Sequence, residues 1–173
     1  MIVASLVWPA AYRMHTPRWA VTPLSGAGAA AHGGRANRIG VEALYMALEA
    51  QTAISEYQQL SPLMPPGTLV SYRISLSRVA DFRRGFDPAH WDPLWEEFLV
   101  DWRQQWFDER MEPPSWVLAD QVREARLAGI LFPSQMVAGG TNLVVYPDRL
   151  GAEDRLEFFD PGHALPKDQS SWE

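Results

Sequence analysis

The sequence contains no cysteine, which excludes disulfide bonds and thiolate chemistry. This absence is compatible with a reducing compartment, and we expect a cytoplasmic protein. Basic charge is also scarce, because the 173 residues carry a net charge of −6 at pH 7. Phosphate backbones attract basic surfaces, so this acidic balance argues against nucleic acid as a direct partner.

Long hydrophobic runs are missing as well. The apolar stretch Met1–Trp8 has no basic residues ahead of it and is too short to span a bilayer. We therefore expect a strand or a docked arm there, and neither a targeting segment nor a membrane contact. Internal repeats and low-complexity tracts are absent from the sequence.

Two common catalytic arrangements lack their sequence patterns. The four histidines, His15, His32, His90 and His163, do not have the spacing of metal ligands, and we expect no metal site. Ser134 has no G-x-S-x-G turn around it, so a serine hydrolase triad has little support.

One stretch matches the sequence pattern of a dinucleotide-binding fingerprint but not the secondary structure that the fingerprint requires. Gly26-x-Gly28-x-x-Ala31 fits the glycine pattern, and Glu49 follows about twenty residues later, where a ribose-binding acid belongs. However, Thr22–Ser25 contains a proline and makes a poor central strand. We also expect Gly33 and Gly34 to stop a helix from starting where the pyrophosphate would need one, so we reject a Rossmann site.

The composition indicates one globular domain with a real core, since 47% of the residues are hydrophobic and 12% are aromatic. Alternating or apolar runs predict strands, and helical spacing predicts three helices. The predicted strands are 11–14, 41–46, 69–79, 130–132, 142–146 and 155–159, and the predicted helices start near 48 or 49, run from 93 to about 109, and run from 116 to 127 with Gly129 as the stop. This irregular order indicates an α+β fold with a mixed sheet of short strands flanked by helices. We expect a domain over residues 1–160 and a loose tail over 161–173.

The chemistry concentrates between Gly26 and Tyr57. Glycines in this stretch allow a ligand to approach the backbone, and Arg35 follows as a side chain suited to phosphate or carboxylate. Tyr45 lies near the end of the predicted strand. Glu56 lies on the shoulder of the apolar stripe of the next helix, where it either faces a cleft or is an ordinary solvated glutamate.

The ordered set of motifs resembles the RES domain, a family named for an arginine, a glutamate and a serine. GGRAN, then Tyr45 ten residues after Arg35, then Glu56, resemble the family's GGRWN…Y…E…PS motif, with Pro133-Ser134 further on. Tyr12-Arg13 matches an early aromatic–arginine pair, so the resemblance spans roughly residues 10–147. One departure is Ala36, which replaces the family's tryptophan and either loosens the Arg35 loop or marks a divergent subgroup.

The resemblance implies a bacterial toxin that acts on NAD⁺ as a substrate, has no cofactor, and resembles the ADP-ribosyltransferase fold. It implies Glu56, Arg35, Tyr45 and Ser134 as catalytic residues. It also implies that five residues contact NAD⁺. These are Arg13, Gly34, Arg35, Tyr45 and Ser134.

Three functions are compatible with the sequence. The first is NAD⁺ degradation by cleavage of the nicotinamide–ribose bond, with water or phosphate as the acceptor. The alternatives are an ADP-ribosyltransferase that modifies a protein, and a non-catalytic RES-like binding module. The resemblance also implies a cognate Xre-like antitoxin through which DNA would be contacted, and it leaves self-association of the chain open.

Overall fold

The computed structural model describes residues 1–170, apart from the side chains of residues 8 and 9. Six strands form one mixed sheet in the order β1-β2-β5-β4-β3-β6. Their bounds are β1 Val3–His15, β2 Leu44–Ala47, β3 Thr68–Asp81, β4 Gly129–Pro133, β5 Thr141–Val145 and β6 Arg155–Phe158. Since β1 also pairs with β3, the first five strands close on themselves. The predicted α+β class with a mixed sheet is confirmed.

Three short α-helices accompany the sheet within the described residues, and they are α1 Ala27–His32, α2 Ala50–Gln58 and α3 Pro114–Glu124. The connections contain 3-10 turns at Pro17–Trp19, Pro93–Glu97 and Pro147–Arg149, and a π-helix at Gln104–Asp108. No helix among residues 1–170 is long and apolar enough to cross a membrane.

The sheet is built around the long antiparallel pair β1 and β3. The two strands have 13 and 14 residues and are longer than the strands predicted at 11–14 and 69–79. The N-terminal apolar stretch belongs to β1, and it joins the predicted strand 11–14 into one element. In β3 the predicted alternation is confirmed, because Val70, Tyr72, Ile74 and Leu76 are all buried. Pairing along nearly the whole length of β1 makes this ribbon the support for one wall of the cleft described below.

Two apolar clusters lie on the two faces of the sheet. Successive residues of a strand go to opposite clusters, as the period of two requires. In β4, Ile130 and Phe132 join the cluster that includes α3 and the tryptophans, whereas Leu131 joins the cluster around β1 and β3. The first cluster fills the space beneath the segment that follows β3, so this segment is anchored by aromatic packing.

The predicted helix from Pro93 to about Glu109 is wrong. Asp92 does cap a helical start, because its carboxylate accepts a 2.9 Å hydrogen bond from the Leu94 N–H. The helix nevertheless stops as a 3-10 turn at Glu97. The apolar spacing was real, since Trp95, Phe98 and Trp102 are buried, but aromatic packing holds the segment as separate turns.

Several strands and helices begin or end at residues other than those predicted. The strand predicted at 41–46 begins only at Leu44, and α3 ends at Glu124 before its predicted end. Gly129 is the first residue of β4 and is therefore not the helix stop. Residues 161–170 form turns in which Leu165 packs against the core, and residues 171–173 of the predicted tail lie outside the described part of the chain.

Candidate active site

One cleft of about 710 Å³ collects most of the residues that the sequence singled out. Its walls come from β1, the glycine-rich loop, β2, α2, residues 99–103 and the segment after β4. The predicted residues that line it are Arg13, Gly34, Arg35, Tyr45 and Glu56. Ser134 is not among the lining residues, although it lies directly behind one of them.

Glu56 faces the cleft and is held there by two neutral donors. Its Oε1 accepts a 2.7 Å hydrogen bond from the Ser134 hydroxyl and a 2.6 Å hydrogen bond from the Asn142 amide. The residue lies in the second turn of α2, which packs over β1, β2 and β5. Of the two interpretations of Glu56, the cleft-facing one is therefore correct. Within the described chain, no cation lies within 4 Å of its carboxylate, so the charge is oriented but not neutralised.

The hydroxyl of Ser134 has a defined direction. It accepts hydrogen bonds of 3.1 Å from the N–H groups of Met136 and Val137. Both acceptor sites of the oxygen are thereby occupied, so its single proton is donated to Glu56. Ser134 therefore orients the carboxylate from behind, and it does not contact the space of the cleft itself.

Glu49 attaches the start of α2 to β5. Its Oε2 accepts 2.9 Å hydrogen bonds from the Thr52 hydroxyl and from the Thr141 N–H. This contact keeps α2 in register with the strand that carries Asn142. The sequence showed Glu49 only as part of the rejected dinucleotide pattern, and its structural role was missed.

Gly34 is required by its neighbours. A Cβ at this position would lie on the Tyr45 hydroxyl and 2.7 Å from the Asn37 Oδ1. The same hydroxyl donates a 2.8 Å hydrogen bond to Asn37 and accepts one of 2.8 Å from the Ala36 N–H. Tyr45 therefore pins the glycine-rich loop with its hydroxyl. Burial raises the pKa of Tyr45, so the phenol stays neutral.

Arg35 lines the cleft, and its guanidinium is also hydrogen-bonded to other segments of the chain. Its Nη1 donates to the carbonyl oxygens of Phe98 and Val100 at 3.0 and 2.8 Å, and its Nη2 donates to the Gln135 Oε1 at 2.6 Å. Burial lowers the pKa of Arg35, while the nearby Tyr45 and the carboxylates partly oppose that shift. Three of the five N–H hydrogens of the guanidinium are thus engaged.

Arg13 enters the cleft from β1. It makes one hydrogen bond of 3.3 Å to the Ser25 carbonyl, and burial lowers its pKa. Behind it, the His15 Nε2 lies 2.7 Å from the Tyr72 hydroxyl, which donates in turn to the Pro23 carbonyl at 2.8 Å. Burial, with a further contribution from the charge of Arg13, lowers the pKa of His15 to about 4. The imidazole is therefore neutral beside a charged arginine.

The replacement at Ala36 does not leave a loose loop. Ala36 is fully buried, and its carbonyl accepts a 2.8 Å hydrogen bond from the Tyr146 hydroxyl. Its side chain belongs to the cluster that contains Trp91 and Trp95. On the neighbouring side, the Trp116 indole donates to the Gly34 carbonyl at 2.7 Å. Aromatic residues from other segments thus surround the loop, and its backbone is held at both ends.

The rejected dinucleotide pattern needs one correction. A helix does start within it, because α1 begins directly after Gly26, but this helix has six residues and ends at His32, with Gly33 as its C-cap. The preceding residues 22–25 form turns and no strand, as expected. Rejection of the Rossmann site thus rests on the missing strand and the short helix. Within residues 1–170, no group of three potential metal-ligating His, Cys, Asp or Glu residues is present.

Two residues of the cleft were missed by sequence reasoning. Asn142 was seen only as the start of a strand, and its contact with Glu56 depends on the pairing of β5 with β2 and β4. Arg103 lines the cleft from a segment that was predicted to be an ordinary docked helix. Neither had a local signal in the sequence.

The mixed sheet closes through the pairing of β1 with β3, and α2 holds the Glu56 carboxylate against β5, which together define an α+β domain with a cleft beside its sheet. The RES domain family model matches residues 10–168, and the chain is a member of that family. It is also similar to a chain in the crystal structure of the M. tuberculosis MbcT–MbcA toxin–antitoxin complex, with a TM-score of 0.60 and 20% identity. That similarity covers 90% of this chain and 84% of the other. The comparison with curated proteins gives no match.

Proposed function

We propose that this protein is the toxin of a bacterial toxin–antitoxin pair and that it degrades NAD⁺ by cleaving the nicotinamide–ribose bond. The observation that carries the proposal is the Glu56 carboxylate, held by Ser134 and Asn142 at 2.7 and 2.6 Å, in a cleft that arginines also line. A cleft of about 710 Å³ is of the size that small-molecule sites have. Membership of the RES family supports the choice of substrate.

The proposed reaction makes a limited demand on the protein. The bond between ribose C1′ and the pyridinium nitrogen breaks, and its electron pair leaves with nicotinamide as a neutral molecule. Positive charge then develops on the ribose, as in other glycosidic cleavages. A fixed negative group next to the ribose lowers the barrier, and a strong general acid is not needed for this leaving group.

Glu56 is suited to this task because its partners are neutral. Hydrogen bonds from a hydroxyl and an amide orient the carboxylate without cancelling its charge. An ion pair at this place would weaken the attraction for an oxocarbenium-like centre. We assign Glu56 the electrostatic and ribose-binding role, and we assign Ser134 and Asn142 the positioning of that carboxylate.

The remaining predicted residues have supporting roles in the proposal. Arg13 and Arg35 provide positive charge for the pyrophosphate. Tyr45 presents its ring at the cleft while its hydroxyl holds the loop, so the ring is available for stacking. The acceptor is water or inorganic phosphate, whose oxygen bonds to C1′ with loss of a proton.

The partner in this proposal is an Xre-like antitoxin that covers the cleft. The support is the toxin–antitoxin complex to which this chain is similar, together with apolar side chains beside the cleft. Leu60 lines it and is 91% exposed, and Leu63 follows at 77%. In this proposal the antitoxin would provide the DNA contact, which the net charge of −6 makes unsuitable for this chain. Activity that persists unchanged in the stoichiometric complex would contradict the covering role.

The decisive experiment is nicotinamide release from NAD⁺, measured with and without inorganic phosphate. We expect release by the wild type and a loss of about 10²–10³-fold in Glu56→Gln, the size of effect when one preorganised stabilising group is removed. Glu124→Gln, at an exposed glutamate at the end of α3, is the matched control and should keep full activity. If the wild type releases no nicotinamide but labels a protein target, the ADP-ribosyltransferase alternative replaces this proposal.

A further inference from the structure

The cleft contains a third arginine, Arg103, on a segment that packs against the aromatic core. We call residues 98–103 the strap. Its first residue, Phe98, is buried, and Trp102 near its end is 7% exposed. Between these anchors, Leu99 and Asp101 line the cleft, as does Arg103 after the second anchor. The strap is therefore a fixed wall that presents charged side chains to the cleft.

Arg103 is held in place without losing its hydrogen-bonding capacity. Its guanidinium carbon lies 5.0 Å from the centroid of the Trp102 ring, which is stacking distance. The Asp101 carboxylate accepts hydrogen bonds from the backbone N–H groups of Arg103 and Gln104, at 2.9 and 3.3 Å. Among the described residues, no carboxylate lies within 4 Å of the guanidinium. A preorganised cation with free donors is the usual arrangement for phosphate recognition.

Arg35 has fewer free donors than Arg103. Three of its N–H groups bind the strap carbonyls and Gln135, so most of its fork is already used. The positive charge of Arg103 reaches the same region, because it contributes to lowering the pKa of Arg35 after the larger effect of burial. The two cations therefore face one space, and like charges so placed are stabilised by a bound anion.

We infer that Arg103 is a substrate-binding residue that contacts the phosphate groups of a nucleotide bound in the cleft. In this arrangement Arg35 chiefly holds the strap, Arg103 binds phosphate from the strap side, and Arg13 contributes from β1. The inference rests on the proposed function for the identity of the nucleotide, but the cation site itself is defined by the chemistry of the cleft.

The test is calorimetric binding of ADP-ribose, which carries a pyrophosphate, and of adenosine, which carries none. We expect Arg103→Gln to raise the Kd for ADP-ribose about tenfold to a hundredfold, the range for a charge-assisted hydrogen bond. Adenosine binding should stay within about twofold, since it offers no partner for the guanidinium. The Kd of Arg103→Lys for ADP-ribose should lie between those of the wild type and Arg103→Gln, because lysine keeps the charge but loses the planar fork.

Arg84→Gln is the control, because Arg84 is an exposed arginine in a turn outside the cleft. It should leave both affinities unchanged. Equal ADP-ribose affinity for the wild type and Arg103→Gln would overturn the inference while leaving the proposed NAD⁺ reaction intact. Arg103-dependent binding of ADP-ribose without any nicotinamide release would instead remove the proposed reaction and keep the phosphate site. Absence of ADP-ribose binding by the folded wild type would overturn both.

Discussion

The Ser134 hydroxyl donates a 2.7 Å hydrogen bond to Glu56, 78 residues earlier in the chain. This contact joins the glutamate and the serine on which the motif resemblance rests, and in the proposed reaction it gives the serine a positioning role. Ser134 does not line the cleft, and its oxygen already accepts hydrogen bonds from the Met136 and Val137 N–H groups. The pair is therefore suited to charge stabilisation and not to nucleophilic attack by serine.

Loss of either donor to Glu56 should lower turnover more than binding. We expect Ser134→Ala and Asn142→Ala each to reduce kcat for nicotinamide release about tenfold to a hundredfold, since the loss of an orienting hydrogen bond lets the carboxylate leave its reactive geometry. KM should change less than threefold. Ser134→Thr retains a hydroxyl and should recover part of the activity. A change confined to KM would mean that the residue binds substrate directly.

Gly34→Ala should disrupt the loop that carries Arg35. The added methyl group meets the Tyr45 hydroxyl and the Asn37 side chain, so we expect a loss of about 1–3 kcal/mol in the free energy of unfolding. Combining it with Tyr45→Phe removes the nearest of the three clashing atoms, although the ring carbon Cζ stays 2.8 Å from the Cβ position. The double variant should therefore cost less than the sum of the single changes. Thermal and denaturant unfolding provide the measurement. Gly28→Ala is the matched control, because nothing lies within 4 Å of its Cβ position.

Arg35→Lys should loosen the strap although the charge is retained. A single ammonium nitrogen cannot reach the Phe98 and Val100 carbonyls and the Gln135 amide in the geometry that the guanidinium spans. We expect amide hydrogen exchange in residues 98–105 to accelerate about tenfold or more, while α3 remains unchanged. Arg13→Lys, which alters another arginine of the cleft, should leave the strap as protected as in the wild type. Equal protection in Arg35→Lys would show that the aromatic anchors alone hold the strap.

His15 should make the protein less stable in mild acid. Its pKa falls from an ordinary 6.5 to about 4 in the folded state, chiefly by burial and further through Arg13. Between these values the unfolded chain binds the extra proton, so the free energy of unfolding decreases as pH falls from about 6.5 to 4. The full effect is on the order of 3 kcal/mol. The aspartates whose pKa values are lowered act mainly below about pH 5, so they overlap only the acid end of this window.

Denaturant unfolding across pH 4–7 measures this effect. His15→Gln retains a donor for the Tyr72 hydroxyl but does not titrate, so its stability should vary less over the window. His90→Gln is the control, because His90 is exposed and pairs with Asp87 at the surface. A slope that survives in His15→Gln but disappears in His90→Gln would contradict the assignment.

Much of the scaffold was predictable because its patterns are local. The alternation of β3 and the helical spacing that gave α2 both survive in the folded protein. The segment after β3 was mispredicted for a physical reason. Its tryptophans have helical spacing, but Phe82 inserts among them and packs 5.0 Å from the rings of Trp91 and Trp95. That packing depends on the end of another strand, and no local pattern contains it.

The sequence by itself indicated the family through an ordered set of short motifs and the α+β class through local periodicity. It also singled out Arg35, Tyr45, Glu56 and Ser134 as site candidates. Their assembly was decided by the tertiary structure. The pairing of β5 between β2 and β4 places Asn142 on Glu56, and the aromatic core places the strap over Arg35. Contacts between residues 60 or more positions apart depend on strand order and packing, which residue spacing along the chain does not encode.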